Sequence, residues 1–525
     1  MADTLDLIVI GAGMAGINAA KKCARAGWSV AIVDELPYGG TCALRGCDPK
    51  KMLRAGAEAV EAARLMSGKG VTGEARIDWP ALMKHKESFT DPVPESMEDG
   101  LKEAGVRPLY GQARFTAKDR IEIEGHGEIA FHHALIATGA KPRPLDFPGA
   151  EQVIDSTDFL NLEELPRRIV FVGGGYISFE FAHIAARAGA EVTILDRGAR
   201  QLKMFDPDLV DMLLERSRAA GIEIVAEAMP ERIEAVADAH RVVYTRDGER
   251  HAIEADLIVH GAGRVPAIDH LNLTAAGIET EHGGVKVTPW LQSTSNLRIF
   301  AAGDAAASPG KPLTPVAVFE GKIAASNMLK GERTEPDYTG VPSVVFTIPE
   351  LARVGLMEEE ARERGEAVVS FTDTSGWFSQ KRRGESHAAA KVITGSDGKI
   401  LGAHLFGPDY AELINFFSLA IKLGLTEQQL KAMPAAIPLP HPMSARCSEE
   451  ARPVRSYSLH VALRVGMGGS RQARLCCTCE NLTGNAVSLG LIRTFAASLS
   501  NGGSGPKDGI RIGTRAHHQG EELCA

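Results

Sequence analysis

The sequence predicts an α/β protein with two Rossmann-like nucleotide-binding units and a third, α+β region toward its C-terminal side. Two glycine-rich turns, Gly11-Ala12-Gly13-Met14-Ala15-Gly16 and Gly173-Gly174-Gly175, predict the first two units. Each follows an apolar run, opens a helical stretch, and is succeeded by a second apolar run closing on an acid, Asp34 or Asp196. From residue 336 the signals change to strand-rich segments ahead of one apolar helix, Tyr410 to Leu423, which predicts the third region.

In the first unit, Leu7 to Ile10 is a buried strand that enters the glycines. Gly11 permits the tight turn, Gly13 lets backbone N–H groups approach a pyrophosphate at the helix N-terminus, and Gly16 allows helix and strand to pack closely. Gly27 marks the helix end, and a strand from Val30 to Val33 delivers Asp34 about twenty residues beyond the glycines, where a carboxylate is expected to hold ribose hydroxyls. A helix around Trp79 to Ser88 and strands near Tyr110 to Phe115 complete the early part. In the second unit the strand Ile169 to Val172 enters the glycines, a helix runs from Tyr176 to Arg187, Gly189 ends it, and Val192 to Leu195 leads to Asp196.

Between these units lies Gly39-Gly40-Thr41-Cys42-Ala43-Leu44-Arg45-Gly46-Cys47-Asp48-Pro49-Lys50-Lys51. Five positions on a regular helix span about 7.5 Å, whereas a disulfide tolerates a Cα separation of roughly 7 Å. The segment must therefore bend between the cysteines, and Gly46 is where the irregularity is expected. A thiol opening the next helix would feel the positive end of its dipole, which favours the thiolate. A thiol pair beside a nucleotide site points to electron transfer through a disulfide.

These residues resemble the class I pyridine nucleotide-disulfide oxidoreductases, the family of glutathione reductase, dihydrolipoyl dehydrogenase and mercuric reductase. The resemblance runs from about residue 5 to 433, because further motifs follow in the family's order. Ala137-Thr138-Gly139-Ala140 is similar to the crossover into the second unit, and Gly261-Ala262-Gly263-Arg264-Val265-Pro266 to the return. Phe300-Ala301-Ala302-Gly303-Asp304 is similar to the second flavin motif, followed by Leu313-Thr314-Pro315-Val316-Ala317 and by Phe346-Thr347-Ile348-Pro349-Glu350. The resemblance divides the chain into an FAD-binding portion at 1–150, an NAD(P)-binding domain at 151–270, a second FAD portion at 271–335 and a dimerisation domain at 336–436.

The resemblance also implies roles. Cys42 and Cys47 are the redox pair: Cys47, nearer the flavin, holds the charge-transfer thiolate and Cys42 attacks the substrate disulfide. Lys51 and Glu180 are the ion pair near the reactive flavin nitrogen, and Tyr176 is the aromatic gate displaced by the nicotinamide. FAD contacts are expected from Gly11, Gly13, Gly16, Asp34, Gly40, Thr41, Cys42, Lys51, Ala113, Thr138, Gly139, Gly263, Asp304 and Ala317. NAD(P) contacts are expected from Gly173, Gly175, Tyr176, Asp196 and Arg197. Asp196 stands where NAD-using relatives carry glutamate, and Arg197 and Lys203 where glutathione reductases carry phosphate-binding arginines; two cations against one acid favour NADPH over NADH. Lys21 replaces a glutathione-binding arginine. The expected activity is transfer from NAD(P)H through FAD to a small-molecule disulfide, glutathione reductase-like, by a homodimer. Dihydrolipoyl dehydrogenase and mercuric reductase are alternatives, and a flavin-binding redox sensor is the non-enzyme alternative.

Composition agrees. With 525 residues, 44% of them hydrophobic, the chain can bury several cores, and its net charge of −9 is interspersed rather than blocked, which argues against a nucleic-acid partner. No apolar stretch reaches bilayer length, no leader segment precedes the first strand, and the expected location is cytoplasmic. No metal site is expected.

After residue 436 the pattern breaks. Family members place a His-Pro pair where this chain has Ile437-Pro438, while His441-Pro442 lies four residues late with no acid at the matching distance, so His441 is assigned no role. Residues 437–525 hold nine arginines against one lysine and five of the eight cysteines, without helix or strand periodicity. That shift is what a change of reading frame near residue 437 produces, and the segment is expected to be a tail without packed structure. Cys476-Cys477 and Cys479 lack zinc-ligand spacing and are likewise given no metal role.

Overall fold

The computed structural model describes residues 4–331, 333–365 and 367–434. Its first sheet sets strand Leu5–Ile10 between Val30–Asp34 and Gly127–Ile136, with Val106–Tyr110 outside the former and Ile299–Ala301 outside the latter, all parallel. Alternation explains the burial of the central strand on both faces. Leu7 and Val9 pack toward the helices Met14–Arg25 and Thr314–Lys330, while Ile8 and Ile10 join Phe115, Phe131 and Ile121 on the other side. The two helices touch at small residues, since a Cβ on Gly321 would fall 2.4 Å from the Ala15 carbonyl oxygen.

A second parallel sheet orders Ile222–Val225, Glu191–Leu195, Arg168–Val172 and Leu257–His260, covered by the helices Tyr176–Arg187 and Pro207–Ala219. The antiparallel strands Met229–Val236, Ala239–Arg246 and Glu249–Ala255 lie beside it. The two crossovers run together: Ala140–Pro142 pairs antiparallel with Arg264–Pro266. A third, wholly antiparallel sheet orders Ser343–Val345, Glu350–Gly355, Ile400–Gly407, Ala389–Gly395 and Ala367–Asp373. Helix Tyr410–Lys422 packs Ile414, Phe417 and Ala420 against that sheet. The α/β architecture with an α+β region is therefore as the sequence predicts.

Buried ion pairs tie the three sheets together. Glu61 on helix Cys47–Leu65 accepts from Arg187 at 3.0 Å and also pairs with Arg216. Lys391 of the third sheet reaches Asp206 at 2.8 Å, Asp208 at 2.6 Å and Glu358 at 2.9 Å. Among the described residues no helix is long and apolar enough to cross a membrane. The segment 437–525, with His441 and Cys476-Cys477, lies outside the described residues.

Candidate active site

The first glycine turn builds a cradle with no room for side chains. Gly11 sits at φ +103°, and a Cβ there would stand 2.3 Å from the Ala137 carbonyl oxygen. A Cβ on Gly16 would lie 2.0 Å from the Gly11 oxygen, and one on Gly40, at φ +65°, 2.5 Å from the Gly13 Cα. Asp34 closes the cradle: Oδ2 accepts from the Ala12 amide at 2.7 Å and Oδ1 from the Leu36 amide at 2.9 Å. Burial nevertheless raises its pKa. The Thr138 hydroxyl is buried here without a partner among the described residues, burial also raises the Asp304 carboxyl, and a Cβ on the neighbouring Gly303 would meet Ala317 at 3.1 Å. An acid held at the strand end, an orphaned hydroxyl and a glycine cradle fit FAD. Ala113 is buried in the same core cluster as Ile10, Val33 and Phe115.

The cysteines stand where two helices meet. Helix Gly40–Leu44 ends at Arg45, and helix Cys47–Leu65 begins after Gly46, so the break falls where spacing demanded it. A Cβ on Gly46 would lie 2.9 Å from the Thr41 carbonyl oxygen. Both sulfurs are thiols in this structure. The neighbouring Cys42 thiol chiefly lowers the Cys47 pKa to about 6, against burial and with help from the Lys50 charge and Thr314 Oγ1 at 3.7 Å. The interaction with Cys47, followed by burial, pushes Cys42 upward. Cys47, opening its helix, is thus the more acidic sulfur of the pair.

Beneath it, Lys50 and not Lys51 makes the ion pair. Lys50 Nζ lies 2.8 Å from Glu180 Oε2, both residues buried, and Glu180 Oε1 accepts from the Phe346 amide at 2.8 Å. Lys51 is exposed, its Nζ 4.4 Å above the Phe346 ring. The expectation for Lys51 is corrected by helix geometry: one residue turns the side chain by about 100°, and Lys50, three residues after Cys47, shares the cysteine's face. Helix Tyr176–Arg187 continues the linkage. His183 Nδ1 accepts from the Ile348 amide at 3.0 Å, and Arg187 donates to the Ile348 carbonyl at 3.0 Å, so three turns of one helix grip the loop 346–348.

The second glycine turn opens into a cavity of about 810 Å³ lined by Gly173, Gly175, Tyr176, Asp196, Arg197, Gly263, Arg264 and Asp304, among others. Gly173 repeats Gly11, at φ +108° with a Cβ that would meet the Gly261 oxygen at 2.5 Å. Tyr176 opens the helix and is 47% exposed to the cavity, yet the surrounding walls push its pKa up to about 12. Asp196 is buried, and its Oδ2 accepts from Gln201 Nε2 at 3.1 Å. Arg197, Arg200 and Lys203 are exposed on the cavity wall, and no ion pair engages them among the described residues. The Rossmann turn with its terminal acid fits a pyridine nucleotide. Sequence reasoning missed Gln201, which carries no spacing signal, gave Thr314 no role although it lies in the Leu313–Ala317 motif, and misread Lys50, whose proximity to Glu180 depends on helical phase.

Fold and site together define a two-nucleotide protein with a dithiol at the first site. The chain belongs to the pyridine nucleotide-disulphide oxidoreductases: the family model matches residues 5–321 and its dimerisation domain matches 341–446. It is 32% identical over 434 residues to the mercuric reductase of Lysinibacillus sphaericus, covering 82% of this chain and 79% of that one. It is 32% identical over 465 residues to the dihydrolipoyl dehydrogenase of Staphylococcus aureus, covering 85% and 96%. A solved Cu(II) complex of a cysteine-to-serine mutant of the HOCl-induced flavoprotein disulfide reductase RclA from Escherichia coli superimposes with a TM-score of 0.75 at 29% identity, covering 83% of this chain and 97% of that one. The protein is an FAD-dependent NAD(P)H disulfide oxidoreductase, and the dimerisation domain supports a homodimer. The sensor alternative gives way to an enzyme.

Proposed function

We propose that this enzyme takes reducing equivalents from NADPH and delivers them to a small-molecule disulfide, in the manner of a glutathione reductase. Bound FAD supplies the two-electron carrier between nicotinamide and sulfur. The chain's residues do the rest. Tyr176 covers the cavity end where the nicotinamide arrives and moves aside for it. Lys50, fixed by Glu180, offers a buried cation beside the redox pair and stabilises negative charge there. Once the Cys42–Cys47 disulfide is reduced, Cys42 gives up its proton and attacks one sulfur of the substrate disulfide as the thiolate. A Cys42–substrate disulfide forms and the other half leaves as a thiol after taking a proton. The Cys47 thiolate then attacks Cys42, re-forming the internal disulfide and releasing the second half, which takes a proton from solvent to become a thiol.

The observation that carries this reading is the placement of Cys42 and Cys47 on either side of the helix break at Gly46, with Thr314 Oγ1 3.7 Å from Cys47 and the buried Lys50, paired with Glu180, one turn along the same helix. NADPH is favoured by Arg197, Arg200 and Lys203, three cations that line the cavity with no ion pair among the described residues, while Asp196 already accepts from Gln201. A second reading, lipoamide oxidation with NAD⁺, draws on the buried Asp196 at the ribose position and on the name of the Staphylococcus aureus relative. Steady-state comparison of glutathione disulfide, lipoamide and Hg(II), each with NADPH and NADH, tests the choice. Turnover of glutathione disulfide with NADPH supports the first reading; lipoamide turnover with NADH and none with glutathione disulfide replaces it with the second.

A further inference from the structure

Asp196, which lines the second cavity, is held by main chain and by one buried side chain. The Asp196 amide donates to the Val225 carbonyl at 2.9 Å, which sets the acid at the strand end. Its carboxylate then folds back over the glycine turn: a Cβ on Gly174 would stand 2.3 Å from Asp196 Oδ2 and 2.9 Å from Gln201 Cγ. Gln201, only 3% exposed, spends its side-chain amide on this loop, donating to Asp196 Oδ2 at 3.1 Å and to the Gly198 carbonyl at 3.2 Å. The loop is pinned next door, where Leu202 adopts φ +44° and its amide donates to the Gly174 carbonyl at 3.1 Å. An amide with both donors committed inside a buried loop holds one carboxylate orientation.

We infer that Gln201 is a specificity-determining positioning residue, which restrains the Asp196 carboxylate against Gly174 and so weakens its hold on the ribose hydroxyls of NADH. The inference deepens the NADPH reading above and rests on it. A carboxylate that accepts from Gln201 has spent acceptor capacity that two vicinal hydroxyls would use, and the bound amide dipole tempers its repulsion of a 2′-phosphate. Arg197, Arg200 and Lys203 then face that phosphate with less opposition. Replacing Gln201 by methionine keeps length and volume but removes the donors. Asp196 becomes free to accept from ribose, and its charge stands undamped beside the phosphate.

The test uses the flavin-loaded full chain and its Gln201→Met, Asp196→Asn and doubly substituted forms, with kcat and KM measured for NADPH and NADH separately. Gln201→Met should lower the ratio of kcat/KM for NADPH over NADH by about tenfold, the scale of one hydrogen bond to a charged group. The change should sit in the two KM values with kcat little altered. In the Asp196→Asn background the same substitution should leave the ratio where it is, because no charge remains to be positioned. Flavin content reports folding, and Gln201→Leu replaces Gln201→Met if the latter loses flavin. A ratio that moves less than twofold on removal of the amide overturns the inference. A wild-type enzyme that prefers NADH more than tenfold overturns the NADPH reading instead, and Gln201 is still judged by whether its removal moves the ratio.

Discussion

The two nucleotide-binding turns share one design and differ in how the acid is held. Gly11 and Gly173 have nearly the same backbone, φ +103° and +108°, and each would drive a Cβ into the strand-end carbonyl opposite, at 2.3 and 2.5 Å. At the third glycine position they part. The first turn uses Gly16, whereas the second has Ser178, and its room comes from the partner: a Cβ on Gly261 would stand 1.8 Å from Ser178 Oγ. Asp34 is gripped by two backbone amides, which no side-chain substitution removes, but Asp196 is gripped by a side chain. The acid of the first turn is locked by main chain, whereas the acid of the second is set by a replaceable side chain. That division suits a nucleotide that stays against one that exchanges.

The largest effect should come from breaking the shared element in each half. Gly11→Ala forces a side chain into φ +103° against backbone and should abolish flavin binding, leaving colourless protein; Gly173→Ala should keep flavin and raise the NADPH KM at least about tenfold. Absorbance of the purified variants and steady-state kinetics separate the two. Equal loss of flavin from both would erase the contrast.

Next comes the redox pair, present beside the first turn alone. Cys42→Ser should cut disulfide turnover about a thousandfold while NADPH still bleaches the flavin absorbance. Lys50→Met should lower turnover by about a hundredfold and melt the protein earlier, since a buried Glu180 left without its cation costs about 3–5 kcal/mol. Lys51→Met, at an exposed position, should stay within about twofold of wild type. Comparable effects of the two would return the ion pair to Lys51.

Acid should weaken the grip between sheets. Burial holds His183 well below its ordinary pKa and His404 down to about 4, so both stay neutral in the fold while the unfolded chain binds protons below pH 6.5. The unfolded state therefore carries more protons, and stability falls as pH drops. His404 alone withdraws about 3 kcal/mol between pH 6.5 and 4. Denaturant midpoints across that range read the loss, and a flat profile contradicts the neutral-histidine assignment. Smallest is the second turn's substitute for a third glycine. Gly261→Ala should cost about 1–3 kcal/mol through its contact with Ser178, and Ser178→Gly in the same chain should restore most of it.

Much of this arrangement is legible in the sequence because it is local. Glycine spacing, apolar strands and terminal acids predict both turns, and the bend at Gly46 follows from the reach of a disulfide between Cys42 and Cys47. What is not legible depends on angle and distance across the fold. Lys50 and Lys51 are equivalent as letters, and only the phase of helix Cys47–Leu65 turns Lys50 toward Glu180. Gln201 has no motif, because its role arises when a loop folds its amide back onto Asp196. The grip of Glu180, His183 and Arg187 on residues 346–348 joins segments more than 160 positions apart, beyond the range of periodicity.

The central claim is that the Cys42–Cys47 pair stores electrons in series with bound FAD. Anaerobic reductive titration of the flavin-loaded enzyme tests it most directly. The account predicts that wild type takes up twice the reducing equivalents its flavin needs, whereas Cys42→Ser takes up only the flavin's share. Wild type and variant reaching full reduction with the same number of equivalents would contradict it.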